Sequence, residues 1–154
     1  MASTSPDRVL LDTCVISAFV NEEMAPAEAV AFRGLLARQA GGCLTMLAST
    51  VSLEEIQNIP LAYQSSHLHE YSAMVKIVGV SSTASDNRDN PTLMTLLPDE
   101  NDARLLAQCQ KEGVRVFLTL DRKTILNRAS QIEAACGVMP QKPSVYFSST
   151  LKSA

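Results

Sequence analysis

Two stretches of the chain share one form: Val9-Leu10-Leu11-Asp12 and Val116-Phe117-Leu118-Thr119-Leu120-Asp121. Each is a short apolar run that ends on a carboxylate. A continuous apolar run of this length, with no polar alternation, is the pattern of a strand buried on both faces. Strands buried on both faces belong to parallel sheets sandwiched between helices. In such sheets ligands bind beyond the carboxyl ends of the strands, where the strand order reverses. An acid at the end of such a run is therefore a candidate for chemistry as well as for structure.

The rest of the chain alternates strand and helix signals. Residues 8–13 read as the first strand, followed by a short helix over Ile16 to Val20. Pro26 opens a clearer helix to about Gln39, closed by Gly41-Gly42. Cys43 to Ala48 reads as a second strand, and Ser52 with Glu55 forms a capping-box pattern for the next helix. Residues 61–73 look helical, and the β-branched run from Val75 to Val80 reads as a third strand.

Ser81 to Asn90 is a loop by composition, and Pro91 to Leu97 fits no single element. Asp99 then caps the best-defined helix, with acids in its first turn, an apolar face at Leu105, Leu106 and Cys109, and Gly113 beyond its end. Residues 115–120 form the fourth strand, and a helix from about Arg122 to Ala135 stops at Gly137. Val138-Met139 and Val145-Tyr146-Phe147 offer a short fifth strand and a tail. Right-handed crossovers then give a three-layer α/β/α sandwich with a mostly parallel central sheet. The expectation is one domain over residues 1–154, with its core at about 8–147.

Composition narrows the function classes. With 13 Lys+Arg against 16 Asp+Glu, the formal charge is −3, so a surface that grips nucleic acid all over is excluded. Any nucleic-acid contact must be local or assisted by metal. No apolar stretch approaches the roughly 20 residues that span a bilayer, and the opening MASTSPDR lacks a secretory pattern, so the cytoplasm is the expected compartment. Cys14, Cys43, Cys109 and Cys136 show no C-x-x-C spacing and are expected to be reduced, buried small hydrophobes rather than a zinc site.

The acids at element ends are Asp12, Glu54, Glu55, Asp99, Glu100, Asp102 and Asp121. Clustered carboxylates repel one another and resist ionisation when buried, and divalent cations relieve both problems. Mg²⁺ and Mn²⁺ take oxygen ligands, and the waters they retain suit phosphodiester hydrolysis. Each acid also has a structural reading. Asp12 could cap the following helix, Asp99 is best read as a cap, Glu100 and Asp102 complement a helix dipole, and Glu54 is a solvated neighbour of Glu55. Arg122 reads as solvated, whereas Lys123 is either solvated or a contact to an RNA phosphate. His67 and His69, two apart in a helical stretch, point away from each other and read as surface histidines.

In order along the chain, these blocks resemble the PIN-domain ribonucleases, the fold of VapC-like toxins. Val9-Leu10-Leu11-Asp12-Thr13-Cys14-Val15-Ile16 resembles the family's opening motif, and Leu53-Glu54-Glu55-Ile56 resembles its second, favouring Glu55 over Glu54. Asp102-Ala103-Arg104-Leu105-Leu106-Ala107 and Leu118-Thr119-Leu120-Asp121 resemble the third and fourth. The blocks span residues 9–121. The resemblance implies that Asp12, Glu55, Asp102 and Asp121 hold Mg²⁺ or Mn²⁺, and that Thr119, with Thr13, orients acids or water.

It further implies endoribonuclease activity on RNA, a homodimer and, for a toxin, a bound antitoxin whose basic side chain could enter the acidic site. One departure stands out: where the family usually has Asn, this chain has Cys14, and a thiol is a poor hydrogen-bonding substitute. The alternative is a non-catalytic PIN-like module that binds RNA or protein. A dehalogenase-like phosphatase would need a second Asp at position 14, and a receiver would need an Asp at Val80-Ser81, so neither fits.

Overall fold

The computed structural model describes residues 6–52, the backbone of 76–77, and residues 91–152. Five parallel strands form one sheet: β1 (Asp7–Leu11), β2 (Leu44–Ala48), β3 (Lys76–Ile77), β4 (Val116–Leu118) and β5 (Met139–Gln141). Their order is β3-β2-β1-β4-β5. The sheet therefore grows outward from β1 in both directions, and the reversal lies between β1 and β4. The two apolar runs that end on carboxylates are these two central neighbours.

Register explains why both runs are apolar throughout. Leu10 pairs with Leu47 and with Phe117, and all three point into one core. Val9 pairs with Met46, Leu11 pairs with Leu118, and these four enter the other core. Alternate side chains thus leave opposite faces, and both faces are covered. The first core is closed by α3 (Pro91–Leu96), α4 (Glu100–Glu112) and α5 (Ala129–Cys136). The second is closed by α1 (Thr13–Val20), α2 (Pro26–Ala40) and α6 (Pro143–Lys152). The architecture is the expected three-layer α/β/α sandwich.

Most element ends match their sequence signals. Asp99 caps α4 by accepting from the Asn101 amide at 2.8 Å, and Gly113 follows at φ 72°, a left-handed conformation that glycine adopts without a Cβ penalty. Gly137 ends α5 in the same way at φ 74°. Pro26 starts α2. Pro91 to Leu97 resolves into helix over its first six residues.

Three local expectations need correction. The helix after β2 begins at Thr50, not after Ser52: the Val51 amide donates to the Ser49 hydroxyl at 2.9 Å, which makes Ser49 the cap. The segment after Asp121 enters its helix through a turn and a 3₁₀ stretch, Leu126–Arg128, before α5 begins. Val145, Tyr146 and Phe147 lie in α6, not in a strand or tail. Pro143 pre-sets the first turn of α6, and the buried Glu28 of α2 satisfies it from outside. Glu28 accepts from the Ser144 amide at 2.8 Å and from its hydroxyl at 2.6 Å.

Packing between α2 and α6 is close. A Cβ on Gly34 would lie 2.5 Å from the Phe147 ring, so only glycine leaves room for that ring. Among the cysteines, Cys109 and Cys136 are buried as expected, Cys14 is half-buried and Cys43 is exposed. Among the described residues no helix is long and apolar enough to cross a membrane.

Candidate active site at the carboxyl edge of the sheet

Asp12 directly follows β1, and Thr119 to Asp121 follow β4, so the reversal of strand order is flanked by both acids. The position is the one where open parallel sheets bind ligands. Asp12 is 6% exposed. It stands at the N-cap position of α1, yet its side chain makes no capping bond. Two side chains claim one of its oxygens instead. The Thr119 hydroxyl donates to Asp12 Oδ2 at 2.8 Å, and the Cys14 thiol donates to the same oxygen at 3.3 Å.

Thr119 is wholly buried and works in both directions. While donating to Asp12, its Oγ1 accepts the Asp121 amide at 3.0 Å. One hydroxyl therefore ties the two acid-bearing segments together. Asp121 is held locally by Thr124, whose amide donates to Oδ1 at 3.0 Å and whose hydroxyl donates to Oδ2. This is the geometry of a cap on the turn that follows, and it fixes the Asp121 carboxylate just beyond the end of β4.

Electrostatics matches that placement. Burial pushes the Asp12 carboxyl above its ordinary range, and the charge of Asp121 adds to the effect. Hydrogen bonds from Thr119, Cys14 and the Thr13 backbone pull the other way without prevailing. The Cys14 thiol is pushed up to about 12, first by burial and then by the Asp12 charge. It is therefore a protonated donor at neutral pH.

A row of small polar side chains extends this edge toward β2. The Thr13 hydroxyl donates to Ser52 at 2.8 Å, and Ser49 donates to the buried Gln108 of α4. The sequence carries no direct signal that places Ser49, Ser52 and Gln108 at the edge of the site. Gln108 could have been suspected, since it is a polar residue among the inward-facing Leu105, Leu106 and Cys109. Thr124, three residues after Asp121, stands at capping spacing and was legible in principle. Nothing in the sequence distinguishes Ser49 from any other helix cap.

Of the other expected ligands, Asp102 falls among the described residues. Asp102 lies in the first turn of α4, partly buried and engaged in an interaction of its own. Among the described residues no three His, Cys, Asp or Glu side chains group closely enough to hold a metal ion, so Asp102 does not close a three-member set with Asp12 and Asp121. Glu54, Glu55, His67 and His69 lie outside the described residues. Arg122 and Lys123 are exposed beside Asp121.

The donor set still fits a hard cation. Mg²⁺ is commonly held by one or two carboxylates, with water and substrate phosphate filling its remaining positions. Asp12 and Asp121 supply two carboxylates, and the Asp12 pKa is raised by burial above all, with the Asp121 charge as the smallest contribution.

The whole fold has a solved counterpart. The chain is similar to a chain in the crystal structure of VapBC2 from Rickettsia felis bound to a DNA fragment from their promoter. The TM-score is 0.62, and the match covers 88% of this chain and 98% of that one. The fold is PIN-like. Sequence identity across the match is 14%, so the likeness is one of fold. No family model matches the chain, and no curated protein matches it in sequence.

Proposed function

We propose that this PIN-like protein is a metal-dependent endoribonuclease that hydrolyses RNA phosphodiester bonds. The observation that carries the reading is the pairing of Asp12 and Asp121 at the reversal of strand order, with Thr119 bonded to both segments. Asp12 and Asp121 would hold Mg²⁺ or Mn²⁺, with Asp102 and Glu55 as further ligands by family resemblance. When bound, the ion supplies an activated water and stabilises the oxygen that leaves.

The residues of the chain do the rest. Thr119 and Cys14 hold Asp12 in place through Oδ2, and Thr124 holds Asp121. Lys123, exposed next to Asp121, would meet a substrate phosphate. With a net charge of −3, substrate binding must rest on such local contacts and on the ion. The similarity to a VapBC2 chain, together with the VapC-like motif order, supports a toxin neutralised by an antitoxin. An antitoxin arginine or lysine facing Asp12 and Asp121 would block the ion. A homodimer accompanies this proposal.

The test is cleavage of mixed RNA oligonucleotides with Mn²⁺, using Asp12→Asn and Asp121→Asn as controls. Cleavage by the wild type alone is expected. Equal cleavage by all three proteins would place the activity elsewhere. A non-catalytic PIN-like binding module is the second reading, favoured by Cys14 where the family usually has Asn and by the low basic content. RNA retention without cleavage under any divalent ion would select it.

A further inference from the structure

The amino edge of the sheet, at the far end of β1 and β4 from Asp12 and Asp121, carries a cleft of about 720 Å³. It opens between the starts of these two neighbouring strands, and Tyr146 of α6 lines one side. Cavities of about 300–1,000 Å³ are the size that holds small-molecule ligands. The charged groups lining the cleft are Asp7, Arg8 and Arg115, all exposed, and Val116 gives it an apolar wall. Two guanidinium groups thus meet one carboxylate, in a chain whose net charge is −3.

Tyr146 is the residue that points to a ligand. It is 7% exposed, and its ring packs into the core that holds Val9 and Leu11. The charges of Asp7 and Arg38 both act on its phenol, which sets the hydroxyl at the cleft end of the ring. Burial and the Asp7 charge push the phenol up, so it stays a protonated donor. The hydrogen bonds that Tyr146 makes among the described residues run through its backbone: the amide donates to the Lys142 carbonyl at 3.1 Å, and the carbonyl accepts from Ser149 at 2.7 Å. The hydroxyl is left to donate to a bound group, as a buried tyrosine usually does.

The two arginines are placed differently. Arg8 is anchored at the end of α4, where Nη1 donates to the Glu112 carbonyl at 3.1 Å and Nη2 lies 3.8 Å from Glu112 Oε2. A guanidinium has five N–H donors, so this anchoring leaves others for a ligand. Arg115 is fixed by its backbone, whose carbonyl accepts the Met139 amide at 2.8 Å, while its guanidinium forms no bond or ion pair among the described residues.

We propose that this cleft binds a hydroxylated phosphate monoester of nucleotide size, with Arg8, Arg115 and the Tyr146 hydroxyl on the phosphate and Asp7 on the sugar hydroxyls. Paired guanidinium forks match a dianionic phosphate in charge and in planar hydrogen-bond geometry. The Asp7 carboxylate accepts from hydroxyls and repels a second anion. Nucleoside monophosphates and sugar phosphates share this chemistry. The site has no residue in common with the proposed nuclease centre and needs no metal ion.

The experiment is isothermal titration calorimetry on the full chain in chelator, which keeps any ion off the acidic edge. The probes are adenosine 5′-monophosphate, ribose 5-phosphate, adenosine and inorganic phosphate. One equivalent of adenosine monophosphate is expected to bind, with adenosine and inorganic phosphate each about tenfold weaker or more. Arg115→Gln should weaken the nucleotide by about tenfold, the usual cost of one charge-assisted bond. Tyr146→Phe should weaken it by about threefold or more while leaving the melting temperature of the free protein unchanged, because the lost hydroxyl bonds to nothing in the fold. Ribose 5-phosphate binding as tightly as the nucleotide supports the site and makes the sugar phosphate its ligand. No heat with either monoester at millimolar concentration overturns the proposal. So does nucleotide binding that survives both Arg115→Gln and Tyr146→Phe, or that inorganic phosphate or adenosine equals. The nuclease reading is decided separately by cleavage in Mn²⁺, so either can fail alone.

Discussion

The hydroxyl of Thr119 donates to Asp12 Oδ2 at 2.8 Å, joining residues 107 positions apart in the chain. Because the same oxygen accepts the Asp121 amide, this one side chain holds both strand ends at a common edge. Replacing it tests that arrangement. Thr119→Val keeps the shape, removes the donor to a buried carboxylate and leaves the Asp121 amide without its partner. A loss of about 1–3 kcal/mol is expected in urea unfolding, with Thr119→Ser recovering most of it. RNA cleavage should fall with Thr119→Val and return with Thr119→Ser.

Asp12 is expected to destabilise the metal-free protein at neutral pH, because burial raises its pKa in the folded state. The sign follows from linkage: the folded protein holds this proton more tightly than the unfolded chain does. The contribution is fully present below the unfolded pKa of about 4 and is lost as pH rises through the raised folded value. Asp12→Asn should therefore raise the melting temperature in chelator at pH 7 and flatten the pH dependence above pH 4. A lower melting temperature at pH 7, with unchanged pH dependence, would contradict the burial argument.

Gly34→Ala pits helix propensity against packing. In an open helix the change gains about 1 kcal/mol. Here the new Cβ would lie 2.5 Å from the Phe147 ring. Overpacking of this kind costs about 1–3 kcal/mol, so net destabilisation is expected in thermal unfolding. Adding Phe147→Leu to Gly34→Ala should recover part of the loss, which shows the clash to be the cause.

Glu28→Ala removes both acceptors at the first turn of α6. A loss of about 1–2 kcal/mol is expected, at the upper end of capping effects because a charged acceptor is involved. Hydrogen exchange should quicken at the first-turn amides of α6 and leave α4 unchanged. Uniform quickening across both helices would mean that Glu28 supports the fold as a whole, not that helix end.

Much of the architecture was legible before any coordinates. The runs ending at Asp12 and Asp121 announced parallel strands buried on both faces because no alternation broke them, and the register shows why: Leu10 with Leu47 and Phe117 fills one core, while Val9, Leu11, Met46 and Leu118 fill the other. Asp99 and Gly113 marked both ends of α4 through local backbone chemistry alone. Val145 to Phe147 misled, because a β-branched and aromatic triplet favours strand until Pro143 and the distant Glu28 supply a helix start.

The sequence by itself determined the layer order and the candidate acids, because periodicity and capping act over a few residues. It could not decide which acids meet. Asp12 and Asp121 share an edge because β1 and β4 are neighbours across the reversal in strand order, a long-range pairing that no local pattern encodes. The same holds for the Thr119 hydroxyl on Asp12 and for Glu28 at the start of α6. Each contact depends on how whole elements pack against one another, since side-chain contact is a property of the folded core and not of position along the chain.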